Sequence, residues 1–296
     1  MSRPRLLIFG ATGLLGSELT RHLSDKYDVR PLGHHQCDIT DSSSVDHTLA
    51  SERPAIVINA AAWSDVDGCE SNPDRAKLVN TEAAVGVARS CKQAGARLVF
   101  FSSDYVFGGD SSSPYVENAA PNPINEYGKT KLEAERGIQK VMPEALIVRT
   151  AWLYGPGGRD FIKSIVAAAQ RSMTGKEKEP LRVVGDQVGN PTSASELSEQ
   201  LNVLLDGKHG GIYHCTNVGQ TSWFEYARLI VDELSLNVDV HPISSKELGR
   251  PAARPAYSVL ANARLQTEGL DRMRDHEVVL REYLAHYRKR VTQNEM

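Results

Sequence analysis

Tyr127 and Lys131 lie four residues apart, and on a helix that spacing stacks the phenol and the ammonium on one face. A free tyrosine has a pKa near ~10 and a free lysine near ~10.4, so a neighbouring ammonium stabilises the phenolate and is expected to move the tyrosine toward neutral pH. A tyrosine tuned in this way protonates a carbonyl oxygen as hydride arrives. Of the ten tyrosines in the chain, Tyr127 alone has a lysine at this spacing. A solvated surface pair is the ordinary alternative. Context argues for chemistry: Ser102-Ser-Asp-Tyr105 lies upstream at the end of an apolar run, and Ser103 there could hydrogen-bond both a substrate carbonyl and the Tyr127 hydroxyl.

These residues need a scaffold, and the first half of the chain supplies one by alternating short apolar runs with amphipathic segments. Arg5 to Phe9, Ala55 to Asn59, Arg97 to Ser102 and Ala145 to Arg149 read as strands. Helices are expected near Leu14 to Ser24, Ser42 to Ser51, Thr81 to Ala94 and Ile124 to Lys140. Continuous apolar strands joined by helical crossovers imply an α/β fold: a doubly wound, Rossmann-like parallel sheet covered on both faces. After Tyr154-Gly155-Pro156-Gly157-Gly158 the rhythm changes. Strands near Leu181 to Val184 and Gly211 to Cys215, with helices near Ser193 to Leu205, Ser222 to Leu234 and His276 to Arg288, read as a smaller C-terminal α/β substrate lobe. The expected division is 1–155 for a dinucleotide-binding domain, with later segments recruited to it, and 156–296 for the lobe. Gly175 to Pro180 is charged and helix-breaking, which marks a solvated connection.

The first strand runs into Gly10-Ala-Thr-Gly13-Leu-Leu-Gly16 and then a helix. That order sets backbone N–H groups and the positive helix end against a pyrophosphate. The second strand ends in Leu32-Gly33-His34-His35, where an acid would otherwise bond the adenine ribose. Without that carboxylate a 2′-phosphate is tolerated and Arg30, His34 or His35 could approach it, which favours NADPH over NADH; the histidines read equally well as a polar loop. Asp38 could accept a bond from the adenine amino group or cap the following helix. Ala60, Ala61 and Ala62 at the end of the third strand leave room for a planar ring and ribose, at the sheet end where ligands bind in such folds. Gly128-Lys129-Thr130 imitates a P-loop tail, but Pro123 stands where its first glycine belongs.

With 296 residues and 41% apolar content the chain can bury a full core. A net charge of −3 without a long block of either sign shows no nucleic-acid footprint. The cysteines Cys37, Cys69, Cys91 and Cys215 are far apart and read as reduced structural thiols. No run approaches a membrane span and only Leu6-Leu7-Ile8-Phe9 precedes Gly10, so the expected setting is cytoplasmic.

The glycine turn, the alanine run, Ser103, Tyr127 and Lys131 together resemble the extended short-chain dehydrogenase/reductase family, whose members act on nucleotide sugars. Longer strings narrow the resemblance: Asn59-Ala-Ala-Ala-Trp-Ser-Asp-Val-Asp-Gly-Cys-Glu70, Ser102-Ser-Asp-Tyr-Val-Phe107, Arg149-Thr-Ala-Trp-Leu-Tyr154, Asp186-Gln-Val-Gly-Asn-Pro-Thr192 and Arg254-Pro-Ala-Tyr-Ser-Val-Leu260 are similar to those of the dTDP-4-dehydrorhamnose reductases. The resemblance runs in order from Arg5 to about Leu284. It implies reduction of the 4-keto group of a dTDP-linked 6-deoxyhexose, yielding dTDP-L-rhamnose for surface polysaccharides. It makes Tyr127 the proton donor and Lys131 the residue that orients the nicotinamide ribose, with Ser103 as the third catalytic residue. Ser103, Asp104, Tyr127 and Trp152 would hold the sugar. Gly10, Thr12, Gly13, Leu14, Leu15 and Gly16 would line the cofactor, joined by Asp38, Ile39, Ala60, Ala61, Ala62, Ser102, Tyr127 and Lys131.

Three positions depart from the family pattern. Ser103 stands where threonine is common, which keeps the hydroxyl. Asp160-Phe161 replaces an expected Asn-Phe, which puts a contact of the substrate lobe in question. Gly33 occupies the region where NADH-preferring relatives carry an acid. Some relatives pair through a bound magnesium ion, so a homodimer is compatible with the resemblance, but an isolated carboxylate such as Glu18 reads as a solvated helix residue and no metal ligand is assigned. Two other readings stay open: a reductase or epimerase for another 4-keto sugar nucleotide, and a non-catalytic regulatory subunit resembling that of methionine adenosyltransferase.

Overall fold

The computed structural model describes residues 3–174, 179–207 and 209–294, so most of the Gly175 to Pro180 connection lies outside the described residues. The chain begins with β1 (Arg5–Phe9), α1 (Leu14–Leu23), β2 (Asp28–Leu32), α2 (Ser42–Glu52), β3 (Ile56–Asn59), α3 (Val66–Ser71), α4 (Pro73–Lys77), α5 (Ala83–Ala94), β4 (Arg97–Ser103), α6 (Glu126–Val141) and β5 (Leu146–Thr150). It continues through β6 (Leu153–Tyr154), α7 (Phe161–Thr174), β7 (Leu181–Val184), β8 (Val188–Gly189), β9 (Thr192–Ser193), α8 (Ala194–Asp206) and β10 (Gly211–His214). The last elements are β11 (Thr221–Ser222), α9 (Trp223–Glu233), β12 (Val240–Ile243), α10 (Ser245–Leu248), α11 (Ala263–Thr267) and α12 (His276–Asn294).

Along β1 the side chains alternate, sending Leu6 and Ile8 to one face of the sheet and Leu7 and Phe9 to the other, and both sets are buried. The strand therefore sits inside a six-stranded sheet of order β10-β5-β4-β3-β1-β2, parallel at every pairing. Leu15, Leu19 and Leu23 of α1 pack on the first face with Leu197, Leu201 and Leu204 of α8. The second face is covered by α2, α5 and α6 through Val45, Leu49, Val87, Ala88, Ala134 and Ile138. The doubly wound architecture is as expected. Two elements placed in the C-terminal lobe by chain order belong to it: β10 pairs with β5 as an edge strand, and α8 packs against α1. A smaller cluster built on Ile162 and Val166 of α7, Tyr226 and Ile230 of α9 and Leu280 of α12 surrounds the parallel β7 and β12 pair.

Local caps shift some helix ends. Asp41, and not Asp38, caps α2 by accepting from the backbone N–H groups of Ser43 and Ser44. The helix expected from Thr81 is preceded by α3, α4 and a π-helical turn at Leu78–Glu82, so the chain is helical for most of the span from Val66 to Ala94. Helix α6 starts at Glu126 because Asn125 caps it, accepting from the Gly128 N–H at 2.8 Å.

Candidate active site

Chain order reverses between β1 and β3, and at that point of an open parallel sheet the carboxyl ends of the strands leave a crevice. Here β3 ends in Asn59 and the alanine run, β4 in Ser103, and β5 in Thr150 followed by Ala151 and Trp152. A cavity of about 420 Å³ lies over these ends, lined by Gly13 to Gly16, Ala60 to Ala62, Ser102, Ser103, Asp104, Tyr127, Lys131, Thr150 and Trp152. The structure thus brings the three catalytic candidates and all four sugar-binding candidates to one cavity.

Helix α6 carries Tyr127 and Lys131 there, and its seat is fixed from several directions. Glu70 accepts the Glu126 N–H at 3.0 Å. Asn80, buried in the π-helical turn, accepts the Trp63 N–H at 2.8 Å and donates to Thr130 Oγ1 at 3.3 Å, tying the end of the alanine run to α6. A Cβ on Gly128 would collide with the Tyr105 carbonyl, so glycine is what lets the helix press onto the end of β4. Arg149 on β5 holds Glu135 of α6 with two bonds of 2.8 and 2.6 Å, both side chains buried.

The electrostatics differ from the sequence expectation. Burial pushes the Tyr127 phenol up, the Asp104 carboxylate pushes it further, and a hydrogen bond from Ser103 opposes both. The Lys131 ammonium does not lower it; burial instead draws Lys131 down to about 7, opposed by the Glu135 carboxylate. In place of a hydrogen-bonding carboxylate, Lys131 Nζ lies 4.2 Å from the Phe100 ring centroid, a cation–π contact. Tyr127 and Lys131 line the same cavity, yet burial outweighs any attraction between them. Asp104 is likewise raised by burial, to about 6, although its carboxylate accepts from Ser258 Oγ at 2.6 Å and Ser103 Oγ at 2.9 Å. Those bonds make Asp104 the group that orients the Ser103 hydroxyl.

Two features show that the cavity fits a dinucleotide and a polar substrate. At the turn, Gly10 has φ +75° and a Cβ there would come within 2.6 Å of Ala61 N; helix α1 begins at Leu14, directly after Gly13, with no side chain capping its first turn. Its N–H groups are therefore free for an anion. Ser102 Oγ and Thr150 Oγ1 are buried without a hydrogen-bond partner, and both residues line the cavity. Buried polar atoms without partners are uncommon in proteins and mark places a ligand satisfies.

On the far side of Gly13, a second cavity of about 510 Å³ is lined by Gly10, Thr12, Asp38, Ile39 and the alanines, joined by His34, Trp63 and Arg75. Of Arg30, His34 and His35 at the end of β2, only His34 reaches it; Arg30 pairs with Glu52 at 3.5 Å. Arg75, which lies 4.6 Å over the Trp63 ring, was not expected there, since nothing in its local sequence distinguishes it from a surface arginine. Gly33 has a steric reason as well: a Cβ would approach Thr12 Cγ2 to 2.8 Å.

A third cavity, of about 590 Å³, is basic, with Arg182, Lys246, Arg250 and Arg254 in its wall. Asp67 accepts from Arg254 at 2.5 Å, Arg250 at 2.9 Å and the Ala252 N–H at 3.1 Å, and these bonds hold its carboxyl well below the usual range. Val66, Tyr105 and Trp223 line both this cavity and the one containing Tyr127, so the two adjoin. Asp160, where asparagine was expected, is buried at the start of α7, accepting the Lys163 N–H at 2.8 Å and pairing with its ammonium at 2.8 Å. Glu18 is not solvated: it is 4% exposed and its carboxylate accepts from Arg21 at 2.7 Å. Among the described residues no three His, Cys, Asp or Glu side chains converge as a metal site.

A family model described as the RmlD substrate binding domain matches residues 4–289. This chain belongs to the RmlD family. Among RmlD-like relatives, the dTDP-4-dehydrorhamnose reductase of Streptomyces griseus is 40% identical over 288 residues, covering 95% of this chain and 93% of that one. A probable dTDP-4,6-dihydroxy-2-methyloxan-3-one 4-ketoreductase of Streptomyces antibioticus is 38% identical over 284 residues, covering 94% of each chain. The crystal structure of dTDP-4-dehydrorhamnose reductase from Bacillus anthracis in complex with NADP superposes with a TM-score of 0.91 at 36% identity, covering 96% of this chain and 99% of that one. No helix among the described residues is long and apolar enough to cross a membrane.

Proposed function

We propose that the protein reduces the 4-keto group of a dTDP-linked 6-deoxyhexose, converting dTDP-4-dehydro-L-rhamnose to dTDP-L-rhamnose with NADPH. The observation that carries this reading is the convergence of Tyr127, Ser103 and Lys131 on one cavity that adjoins a second, basic one. The cofactor, when bound, supplies hydride to the carbonyl carbon. The chain's own residues manage the oxygen. Tyr127 releases its phenolic proton to that oxygen, and Ser103, whose single hydroxyl proton goes to Asp104 in this structure, donates to the oxygen once that hydroxyl turns from the carboxylate. Lys131, which burial draws down to about 7, would stabilise the phenolate left behind once the anionic cofactor favours its charged form. The raised phenol is suited to this work: it stays protonated until negative charge develops on the substrate.

The free N–H groups at the start of α1 and the cavity holding His34 and Arg75 would receive the dinucleotide, and the Arg75 guanidinium there favours NADPH over NADH. Arg182, Lys246, Arg250 and Arg254 would take the diphosphate of the sugar nucleotide while the deoxysugar lies against Trp152. We assign 1–155 to the cofactor domain, extended by α8 and β10, and the remaining later segments to substrate binding. Four buried free cysteines suit a cytoplasmic setting.

A second reading has one observation in its favour. The Streptomyces antibioticus ketoreductase has nearly the same identity to this chain as the rhamnose-forming relative, so the C-terminal lobe could be shaped for another dTDP-4-keto sugar. Incubating the protein with NADPH and a panel of dTDP- and UDP-linked 4-keto sugars, with NMR of the products, separates the two. Fastest turnover of dTDP-4-dehydrorhamnose to the L-rhamno product supports the first; a clear preference for another sugar replaces it with the second.

A further inference from the structure

Trp152 has φ +43°, a left-handed backbone that bulky residues rarely adopt and that is held only where the surroundings enforce it. Three contacts enforce it here. Its carbonyl accepts the Thr192 N–H at 3.1 Å. The indole edge that carries Nε1 lies against Gly189, where an added Cβ would come within 2.5 Å of Trp152 Cε2 and 2.7 Å of Nε1. Its face lies flat on the ring of Trp223, with centroids 3.4 Å apart and 7° between planes.

Trp223 is itself firmly placed. It opens α9 directly after Ser222, whose side chain forms a reciprocal capping box with Glu225. Thr221, one step earlier, pairs with Gly189, the residue that backs Trp152. Phe161 closes on Trp223 at 4.5 Å. The indole N–H of Trp152 remains buried without an acceptor.

We propose that Trp223 is a positioning residue for the sugar: it backs the Trp152 ring and so fixes the wall against which the hexose of a sugar nucleotide lies. This rests on the ketoreductase reading of the same site. Trp223 has the location the role requires, since it lines both the Tyr127 cavity and the basic cavity, where a sugar joined to a diphosphate must pass. A face-to-face pair is not the arrangement two aromatic rings choose when free, so the stack reflects what Gly189 and the α9 cap impose on it.

Trp223→Leu keeps apolar bulk and removes the flat backing; Trp223→Phe restores a smaller flat face. Binding of dTDP-L-rhamnose and of dTDP alone, measured by calorimetry, is compared with the near-ultraviolet circular dichroism that stacked indoles produce. Trp223→Leu should lose that dichroism, bind dTDP-L-rhamnose about tenfold more weakly and bind dTDP as before, with KM rising more than kcat falls; the loss is of the size an aromatic pair carries. Trp223→Phe should recover part of the affinity. Because Trp223 acts through Trp152, the double variant Trp152→Ala/Trp223→Leu should bind no more weakly than Trp152→Ala alone.

Additive losses in the double variant, equal weakening of dTDP and dTDP-L-rhamnose, or unchanged sugar-nucleotide affinity once the dichroism is gone would each overturn the proposal. Trp223→Phe serves as the decisive variant should Trp223→Leu fail to fold. Absence of turnover in the unmodified protein would count against the ketoreductase reading, and the affinities would still decide the role of Trp223.

Discussion

Replacing Asp104 by asparagine should change how stability depends on pH. Asp104 is 2% exposed, and burial raises its carboxyl from 3.8 to about 6 even though Ser103 and Ser258 both donate to it. An acid with a raised folded-state pKa makes the folded protein hold the proton more tightly than the unfolded chain does. Its favourable contribution is complete below the unfolded value, and it is lost as pH rises through the folded value. At 1.36 kcal/mol per pH unit the full loss is about 3 kcal/mol, with no discount for solvent screening because the group is buried. About 1.4 kcal/mol of that loss falls between about pH 5 and about pH 8. The asparagine amide cannot ionise there, so urea denaturation of the two proteins across this range should show the unmodified protein losing about 1.4 kcal/mol relative to Asp104→Asn as pH rises. The same change removes a negative charge that raises Tyr127, so the alkaline limb of kcat should move to lower pH. Parallel stability curves would refute the reasoning, because they would mean that Asp104 titrates alike in the folded and unfolded chains.

Other consequences can be read from the seat of α6 and the charge of Lys131. Burial draws Lys131 down to about 7, and an anionic cofactor with ribose hydroxyls favours its charged form, so the complex should hold more proton than the free protein. NADPH affinity should therefore rise as pH falls toward 7, with proton uptake visible by calorimetry in two buffers of different ionisation enthalpy; an identical heat in both, or no change in Lys131→Met, would count against it. Gly128→Ala sets a methyl against the Tyr105 carbonyl and should cost about 1–3 kcal/mol in a thermal or urea melt, with a fall in kcat as Tyr127 shifts. A variant as stable as the parent would show that α6 is free to move. Glu135→Gln leaves the buried Arg149 guanidinium without its counter-charge and should cost about 3–5 kcal/mol in urea denaturation, and a loss below about 1 kcal/mol would contradict the pairing.

The doubly wound sheet was legible because its strands are continuous apolar runs and its turn glycines sit where a phosphate approaches. The lobe boundary was less so. Gly211–His214 follows the substrate-lobe helices in the chain, and only three-dimensional pairing with β5 returns it to the main sheet. Spacing located Tyr127 and Lys131 but not their protonation, since burial, which sets the direction for both, is invisible in a spacing pattern. Asp104 was read as a sugar ligand, and the structure adds its hold on Ser103. Arg75 and Trp223 left no sequence signal, because a helix-surface arginine and a capped-helix tryptophan are ordinary until the cavities they line are seen.

The most direct measurement is the loss of NADPH absorbance on mixing with dTDP-4-dehydrorhamnose, followed for the unmodified protein and for Tyr127→Phe, with NADPH binding checked in both. The account predicts steady turnover to a dTDP-6-deoxyhexose in the unmodified protein. It predicts a fall of roughly 10²- to 10⁴-fold on removing the phenolic proton, with cofactor affinity nearly unchanged. Near-full turnover by the phenylalanine variant would remove Tyr127 as the proton donor, and no NADPH consumption by the unmodified protein would contradict the reductase itself.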